Sequence, residues 1–371
     1  MENEIFLPYG QGHFYGGVFV DDWIYFSTYD LNGLFKKNLK TGEQYFVKRF
    51  DEYNSRMGLH ENAFRINNDL FFLPLGHVEK KMSIYHMDRD TVDYIELPQS
   101  SAYTSGRFAC TTIEYEDSVW IIPCFYDALL RIDKQTYEIK RYNNWPDEVN
   151  KHGIDGAKFY SAVLVEEKIY LCPYACPSIV VFDIRTEKMY TLPVNIEMQT
   201  YRKILSVNKM LYLFPENVKD DMLTCDLFGE NVRKCKIVTL QEEGIYHAIT
   251  CVDNRFVWML PYEGNYIVKY DIEGECAETV KIIMENQEQT GKLNLHFWDC
   301  YESDDKSLIT MGKTTSPFLI IDKEGITGDK VVITSEMIMQ CLIDFIEGIP
   351  KNQVQKNRNI GEMIYNTIKE V

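Results

Sequence analysis

The chain has 371 residues, of which 45% are hydrophobic and 26% are charged, a composition typical of proteins that bury a substantial core. Its formal net charge of −17 argues against nucleic acid and against an anionic membrane surface as partners, because both need concentrated lysine and arginine. There is no apolar leader and no run of about 18 apolar residues. The ten cysteines are scattered along the chain, which is typical of reduced thiols and not of a disulfide framework. We therefore expect a cytoplasmic protein.

A unit of short apolar strands recurs along the chain. In its clearest copy an apolar run around Trp258 stops at Pro261, a polar turn follows around Gly264, and the next apolar run stops at Asp271. In the first copy, strands are predicted around 18–20, 23–26, 34–38 and 45–47. The second-strand runs of the seven copies end, in chain order, at Ser27, Pro74, Pro123, Pro173, Pro215, Pro261 and Met311.

These anchors lie 47, 49, 50, 42, 46 and 50 residues apart. A period of 40–50 residues with four short β-runs is typical of propeller blades, and each such unit buries its faces only against its neighbours. The sequence therefore predicts an all-β protein over residues 1–333, a seven-bladed β-propeller of four-stranded blades. The run Ile5-Phe6-Leu7 is expected to cover a blade edge.

Two turns resemble a known repeat family. The segments that begin at Asp183 and Asp88 each continue with a Thr-containing turn, an aromatic residue (Tyr190, Tyr94) and a Leu-Pro pair. This pattern is similar to the end of a kelch-type blade. The double glycine usual in kelch repeats is absent, and proline stands in its place. The resemblance covers roughly residues 14–333 and implies a propeller fold without indicating a subfamily.

The last part of the chain, residues 334–371, is predicted to be a helical extension. Thr334 and Ser335 can cap a helix, Gly348 can end it, and a second short helix is expected further on. The apolar face of the first helix comprises Met337, Ile338, Leu342, Phe345 and Ile346, and that of the second comprises Ile360, Met363, Ile364 and Ile368. Helices this short must dock, either on the propeller or on a partner.

The candidate site lies where the first strands of the blades begin, because these strands line the centre of a propeller. Counting fourteen residues back from each anchor gives His13, His60, Ala109, Phe159, Tyr201, His247 and Phe297, with His296 next to the last. Four of the seven histidines thus fall near one position. They could form a metal site or an acid–base cluster, or they could make ordinary loop hydrogen bonds. The nearest carboxylates are Glu61 and Asp299.

Aromatic and basic side chains are predicted around the same mouth and suit a polar ligand. The predicted ligand-binding residues are His13, His60, Glu61, Arg107, Tyr126, Tyr160, Arg202, His247, Tyr262, His296 and Trp298.

No phosphate-binding loop, zinc-protease motif or nucleophile elbow is found, and we predict neither a resident metal nor a cofactor. Two functions stay open. One is a non-enzymatic recognition scaffold for a protein, peptide or glycan. The other is a propeller enzyme acting on a carbohydrate or related small molecule through histidines and carboxylates. We favour the scaffold, because no motif fixes a catalytic pair.

Overall fold

The structure is a computed structural model. It describes residues 3–7, 14–28, 31–50, 60–75, 81–100, 107–152, 159–173, 178–192, 194, 200–238, 244–284, 296–302, 308–313, 318–322, 325–329 and 331–348. Among these residues there are 29 strands and two helices.

The strands follow the repeats predicted from the sequence, after an N-terminal strand β1 at Asn3–Leu7. The bounds of the strands in repeats one to four are β2 Phe14–Val20, β3 Trp23–Thr28, β4 Gly33–Asn38, β5 Gln44–Arg49; β6 His60–Ile66, β7 Asp69–Pro74, β8 Lys81–His86, β9 Thr91–Glu96; β10 Ala109–Tyr115, β11 Ser118–Pro123, β12 Leu129–Asp133, β13 Ile139–Tyr142; and β14 Phe159–Val165, β15 Lys168–Pro173, β16 Ile179–Asp183, β17 Lys188–Leu192. Those in repeats five to seven are β18 Tyr201–Val207, β19 Met210–Pro215, β20 Met222–Asp226, β21 Arg233–Cys235; β22 Ile245–Val252, β23 Phe256–Glu263, β24 Tyr266–Asp271, β25 Cys276–Met284; and β26 His296–Glu302, β27 Leu308–Lys313, β28 Phe318–Ile321, β29 Ile326–Asp329.

The prediction of seven blades with four strands each is wrong. Six repeats form four-stranded antiparallel blades within the described residues, whereas repeat six forms a sheet of five strands. The fifth strand is β1, which pairs in parallel with β25, with Ile5 opposite Ile282. The parallel pairing places β1 on the outer edge of this sheet, so the expectation that Ile5-Phe6-Leu7 covers an edge is confirmed.

The sheets form a ring. The first strands of successive repeats contact one another, and β2 of repeat one also contacts β27 of repeat seven. Strand β1 touches β29 as well, so it lies between the outer parts of repeats six and seven. The fold is therefore an all-β propeller in which the first strand of each repeat is innermost.

Local chemistry explains most strand ends. Proline lacks the N–H that a ladder needs, and β7, β11, β15 and β19 each end at the proline predicted for them. Repeat six differs, because β23 continues past Pro261 to Glu263. The expectation that Pro261 ends its strand is therefore wrong. Pro261 instead pairs with Tyr246 inside the ladder.

Aspartate side chains close the turns after the third strands, as the hydrogen bonds of two of them show. The carboxylate of Asp133 accepts from the backbone N–H groups of Gln135 and Thr136 at 3.0 and 2.9 Å. The Asp183 carboxylate likewise accepts from the Thr186 N–H at 2.7 Å. A short polar side chain that binds the amides ahead of it closes such a turn.

The core consists of side chains packed between neighbouring sheets. Trp120 of repeat three lies 5.0 Å from Phe182 of repeat four, measured between ring centroids. Phe26 of repeat one lies 5.7 Å from Phe318 of repeat seven in an edge-to-face contact. Each sheet is thus stabilised by burying its faces against both neighbours.

Helix α1, Asp147–His152, lies between repeats three and four in the sequence, and α2, Ser335–Gly348, follows repeat seven. The Thr334 hydroxyl accepts from the Met337 N–H at 3.3 Å, which confirms Thr334 as a capping residue. Helix α2 packs against repeat one, where the Asp344 carboxylate accepts from the Arg49 N–H at 3.0 Å. The predicted second helix, with Ile360 to Ile368, lies outside the described residues.

In the described part of the chain, no helix has the length and apolarity needed to cross a membrane. The boundary predicted at residue 333 stays a prediction.

Candidate functional site

A β-bulge interrupts the pairing of the first two strands in every repeat, near the start of the first strand. In six repeats the pairing skips one residue, which is Gly16, Glu61, Cys110, Tyr160, Arg202 or His247. In repeat seven the shift falls between Phe297 and Cys300. We call the skipped positions the bulge residues. Bulges re-aim side chains and are frequent beside functional sites, so these positions organise the candidate site.

The residue before each bulge belongs to the core. These residues are Tyr15, His60, Ala109, Phe159, Tyr201, Tyr246 and Phe297, and all but Tyr15, whose side chain is not described, are buried. Most are aromatic, whereas most bulge residues are polar. A mostly aromatic position is therefore followed, one residue later, by a mostly polar position at the inner end of these repeats.

Of the four histidines expected near one position, the structure shows that two are not equivalent: His60 precedes a bulge, whereas His247 is a bulge residue. The core position holds Tyr15 in repeat one and Phe297 in repeat seven. In repeat six it holds Tyr246, which makes His247 the bulge residue. The constant offset fails in repeat six because the turn between Val252 and Phe256 has three residues, whereas the turn between Ile66 and Asp69 has two. In repeat one it fails because the bulge lies one residue pair nearer the turn, so Tyr15 pairs with Ser27, which is only 12 residues further along the chain.

His60 is a core residue of repeat two. Its ring lies 4.2 Å from the ring of Phe50 and 5.8 Å from that of Phe72. Its Nε2 is hydrogen-bonded to the Ser83 hydroxyl at 2.7 Å. Burial, with the charge of Lys81 as a smaller cause, lowers the pKa of His60 to about 3. His60 is therefore a neutral packing residue at physiological pH.

Glu61, the next residue, forms a buried ion pair. Its carboxylate lies 2.6 Å from Nε of Arg107, and both side chains are at most 9% exposed. Arg107 precedes β10, so the pair joins the inner ends of repeats two and three. Gly16 of repeat one supports this arrangement, because a Cβ there would lie 3.0 Å from the Glu61 carbonyl oxygen. Its φ of +54° also favours glycine.

Arg202 links the bulge residues of repeats four, five and six. Its guanidinium carbon lies 4.4 Å from the centre of the Tyr160 ring, a cation–π contact. Its Nε donates to the backbone carbonyl of His247 at 3.5 Å. Arg202 is almost completely buried, so the surrounding residues restrict its side chain to one conformation.

His247 is paired with a carboxylate that the sequence analysis missed. Its Nε2 lies 2.9 Å from Oε1 of Glu216, the residue after the end of β19. Its ring stacks on Tyr262 at a centroid distance of 4.1 Å and an interplanar angle of 16°. Glu216 directly follows Pro215 in the same way that Tyr262, which was predicted to bind ligand, directly follows Pro261, so its place in the sequence could have identified it.

The electrostatics of this pair favour a neutral histidine and an ionised glutamate. Burial, and after it the charge of Arg202, lowers the pKa of His247 to about 3 against the opposing effect of Glu216. Burial acts to raise the pKa of Glu216, but the hydrogen bond from His247 and the charge of Arg202 outweigh it and lower that pKa. The neutral imidazole therefore donates its Nε2–H to the carboxylate.

Other predicted residues are placed differently or lie outside the description. Tyr126 is buried, its ring lies 4.6 Å from that of Phe108, and its hydroxyl donates to the Pro98 carbonyl at 2.6 Å. His13 lies outside the described residues. His296 and Trp298 lie on β26, but their side chains are not described. The part that these four residues play in binding stays a prediction.

The described cluster thus comprises Glu61, Arg107, Tyr160, Arg202, Glu216, His247 and Tyr262, which we call the mouth cluster. It contains two guanidinium groups, two carboxylates, a neutral imidazole and two phenol rings on five consecutive repeats. Such groups can direct several hydrogen bonds to a polar ligand and stack on its flat faces. Among the residues whose positions are described, no group of three or more His, Cys, Asp or Glu side chains is placed to hold a metal ion.

No protein-family model matches the chain, and no curated protein matches its sequence. Solved structures are similar to it in fold. Virginiamycin B lyase from Staphylococcus aureus, solved with quinupristin, has a TM-score of 0.61 at 13% identity, over 82% of this chain and 92% of that one.

Two further structures are similar. YCF48 from Cyanidioschyzon merolae has a TM-score of 0.58 at 8% identity, over 82% of this chain and 94% of that one. The extracellular domain of a one-component system from B. thetaiotaomicron has a TM-score of 0.57 at 14% identity, over 85% of this chain and 41% of that one. At these identities the likeness concerns the fold alone, and the fold that these structures support for this chain is the β-propeller.

Proposed function

We propose that the chain is a non-enzymatic recognition scaffold that binds a protein, peptide or glycan at the mouth cluster. One observation carries this proposal: polar bulge residues of consecutive repeats contact one another on rigid inner strands. Tyr160, Arg202 and His247 form a continuous series in this way. Preorganised side chains lose little entropy on binding, which favours recognition of a ligand with several polar groups.

Two further parts of the proposal rest on composition and pattern. A cytoplasmic location fits the nine cysteines of the described part of the chain, all of which are free. The kelch-like character of the repeats fits the Asp-centred turns at Asp133 and Asp183.

The proposal is tested with a panel of immobilised oligosaccharides of known structure and a displayed library of random peptides. Any ligand selected by the wild-type protein is then measured against Arg202→Lys and Glu216→Gln by calorimetry. We expect each substitution to weaken binding at least about tenfold, because each removes directed hydrogen bonds to a charged group. Lys209→Ala is the matched control, since Lys209 lies in the turn between β18 and β19, at the opposite end of the strands. Ligands that bind all variants equally would contradict the proposal.

The hydrogen bond between His247 and Glu216 favours an enzyme as the second candidate. A histidine hydrogen-bonded to a carboxylate is a common acid–base pair, although the lowered pKa of His247 makes its imidazole a weak base at neutral pH. The fold is also that of virginiamycin B lyase, although 13% identity does not carry an activity over. A panel of chromogenic glycosides separates the two candidates. Turnover by the wild type that is lost in His247→Gln and in Glu216→Gln would favour the enzyme, and no turnover of any glycoside would favour the scaffold.

A further inference from the structure

An aromatic cluster lies on one face of repeat one, away from the mouth cluster. Tyr25 on β3 pairs with Lys36 on β4, and Lys36 pairs with Tyr45 on β5. Trp23 stands two residues before Tyr25, and strand side chains alternate, so all four side chains project from the same face of the sheet. The register of three adjacent strands therefore places three aromatic rings around one lysine.

The distances show that the rings surround the ammonium group. Nζ of Lys36 lies 4.7 Å from the ring centre of Trp23, 5.7 Å from that of Tyr25 and 5.9 Å from that of Tyr45. The Trp23 and Tyr45 rings are 5.7 Å apart and inclined at 41°. All three contacts are within the range of cation–π attraction, for which tryptophan is the strongest partner.

This cluster is accessible from solvent. Tyr45 is 46% exposed, and Trp23, Tyr25 and Lys36 are partly exposed. Asp21 and Asp22 occupy the turn before Trp23, and Asp22 is paired with Lys40 at 2.8 Å. Burial, and after it the charge of Asp21, raises the pKa of Tyr25. The whole chain carries a formal net charge of −17. The overall charge therefore favours a cationic ligand over an anionic one.

We propose that Trp23, Tyr25 and Tyr45 form a binding site for a quaternary ammonium group, which the chain's own Lys36 fills in the absence of ligand. A quaternary ammonium is less strongly hydrated than a lysine ammonium and gains more from aromatic faces. It can displace Lys36 because that side chain is flexible and reaches water when it swings outward. Lys36 thus acts as an internal competitor. The site is separate from the mouth cluster and does not depend on the function proposed there.

Repeat six provides a matched control. There Lys269 lies 4.3 Å from the ring centre of Phe256 and 5.3 Å from that of Trp258. On the next strand Lys269 pairs with Glu278, at the place that Tyr45 occupies in repeat one. A lysine beside two rings and a carboxylate is an ordinary way to cover aromatic surface. Removing Lys269 should therefore not create a cation site.

The test uses choline and its uncharged isostere 3,3-dimethylbutan-1-ol, titrated by calorimetry into the full chain. We expect Lys36→Ala to bind choline about two- to fivefold more tightly than the wild type. This gain corresponds to the free energy of one partly exposed cation–π contact. The uncharged isostere should bind Lys36→Ala no more tightly than it binds the wild type. Adding Tyr45→Ala to Lys36→Ala should weaken choline binding again by about two- to fivefold. Because Tyr45 is half exposed, its removal should leave the fold intact, which circular dichroism checks.

Three results would overturn the proposal. The first is that Lys36→Ala binds choline no more tightly than the wild type does. The others are an equal increase in affinity for the uncharged isostere, or the same increase in choline affinity in Lys269→Ala. A peptide with one trimethyl-lysine, compared with its unmethylated form, identifies the source of the ammonium group. Tighter binding of the methylated peptide than of choline indicates a protein ligand, and the reverse indicates a small molecule.

Discussion

Helix α2 is predicted to be an integral part of the propeller, and two methionines two residues apart test this. Met337 is 5% exposed and packs among Ile24, Phe26 and Phe318, at the junction of repeats one and seven. Met339 on the same helix is 53% exposed. The two residues have the same chemistry and the same helix propensity, so they differ only in burial.

The expected magnitudes follow from that difference. Met337→Ala removes buried volume from a close-packed junction and should lower the free energy of unfolding by about 2–5 kcal/mol. Met339→Ala removes exposed atoms and should change it by no more than about 0.5 kcal/mol. The Sγ of Cys341, one turn further on, contacts the Leu31 carbonyl at 3.5 Å, so the same helix face is anchored at a second point.

The assay is urea unfolding followed by tryptophan fluorescence, with hydrogen exchange of α2 measured on the same variants. If α2 unfolds together with the ring, Met337→Ala shifts the midpoint and Met339→Ala does not. If α2 opens by itself, Met337→Ala speeds exchange within the helix alone. Equal effects of the two substitutions, or fast exchange throughout residues 336–347 of the wild type, would refute the packed helix.

Two further predictions concern the inner ends of the strands. Because burial lowers the pKa of His60 to about 3 in the folded chain, the unfolded chain takes up the proton first as pH falls below 6.5, and stability is lost between pH 6.5 and 3. His60→Gln should remove about 2 kcal/mol of the stability difference between pH 7 and pH 5, at 1.36 kcal/mol per pH unit, and unchanged pH dependence in urea unfolding would contradict a buried neutral His60. Glu61→Gln removes the carboxylate that contacts the buried Arg107 and should lower the free energy of unfolding by about 3–5 kcal/mol in the same assay. The control is Lys209→Ala, which breaks the exposed ion pair between Lys209 and Glu166 and should have little effect.

The candidate site was only partly predictable. Arg107, Tyr160, Arg202, His247 and Tyr262 were expected at one mouth, and the described contacts join several of them. His60 and His247 were assigned equivalent positions because one offset was assumed for every repeat, and the structure shows that they are not equivalent. Aligning the repeats on the aromatic residue before a polar one, as in Tyr201-Arg202 and Tyr246-His247, would have separated the core position from the bulge position.

The sequence by itself determined the features that depend on neighbouring residues. Strand periodicity, the prolines that end β7, β11, β15 and β19, the aspartate turns and the cap at Thr334 all follow from local backbone chemistry. These features identify the repeat, and the repeat identifies the propeller.

Only the tertiary structure decided the features that depend on distant segments. The run Ile5-Phe6-Leu7 was expected to cover a blade edge, but its pairing with β25 joins residues almost 280 positions apart, so nothing local indicated which sheet would gain a fifth strand. The bulges arise from the register between two strands, and one extra turn residue in repeat six moves His247 from the core to the mouth, beside Glu216. A change of one residue in register reverses the direction of a strand side chain, and for that reason the fold could be predicted from the sequence but the side chains of the site could not.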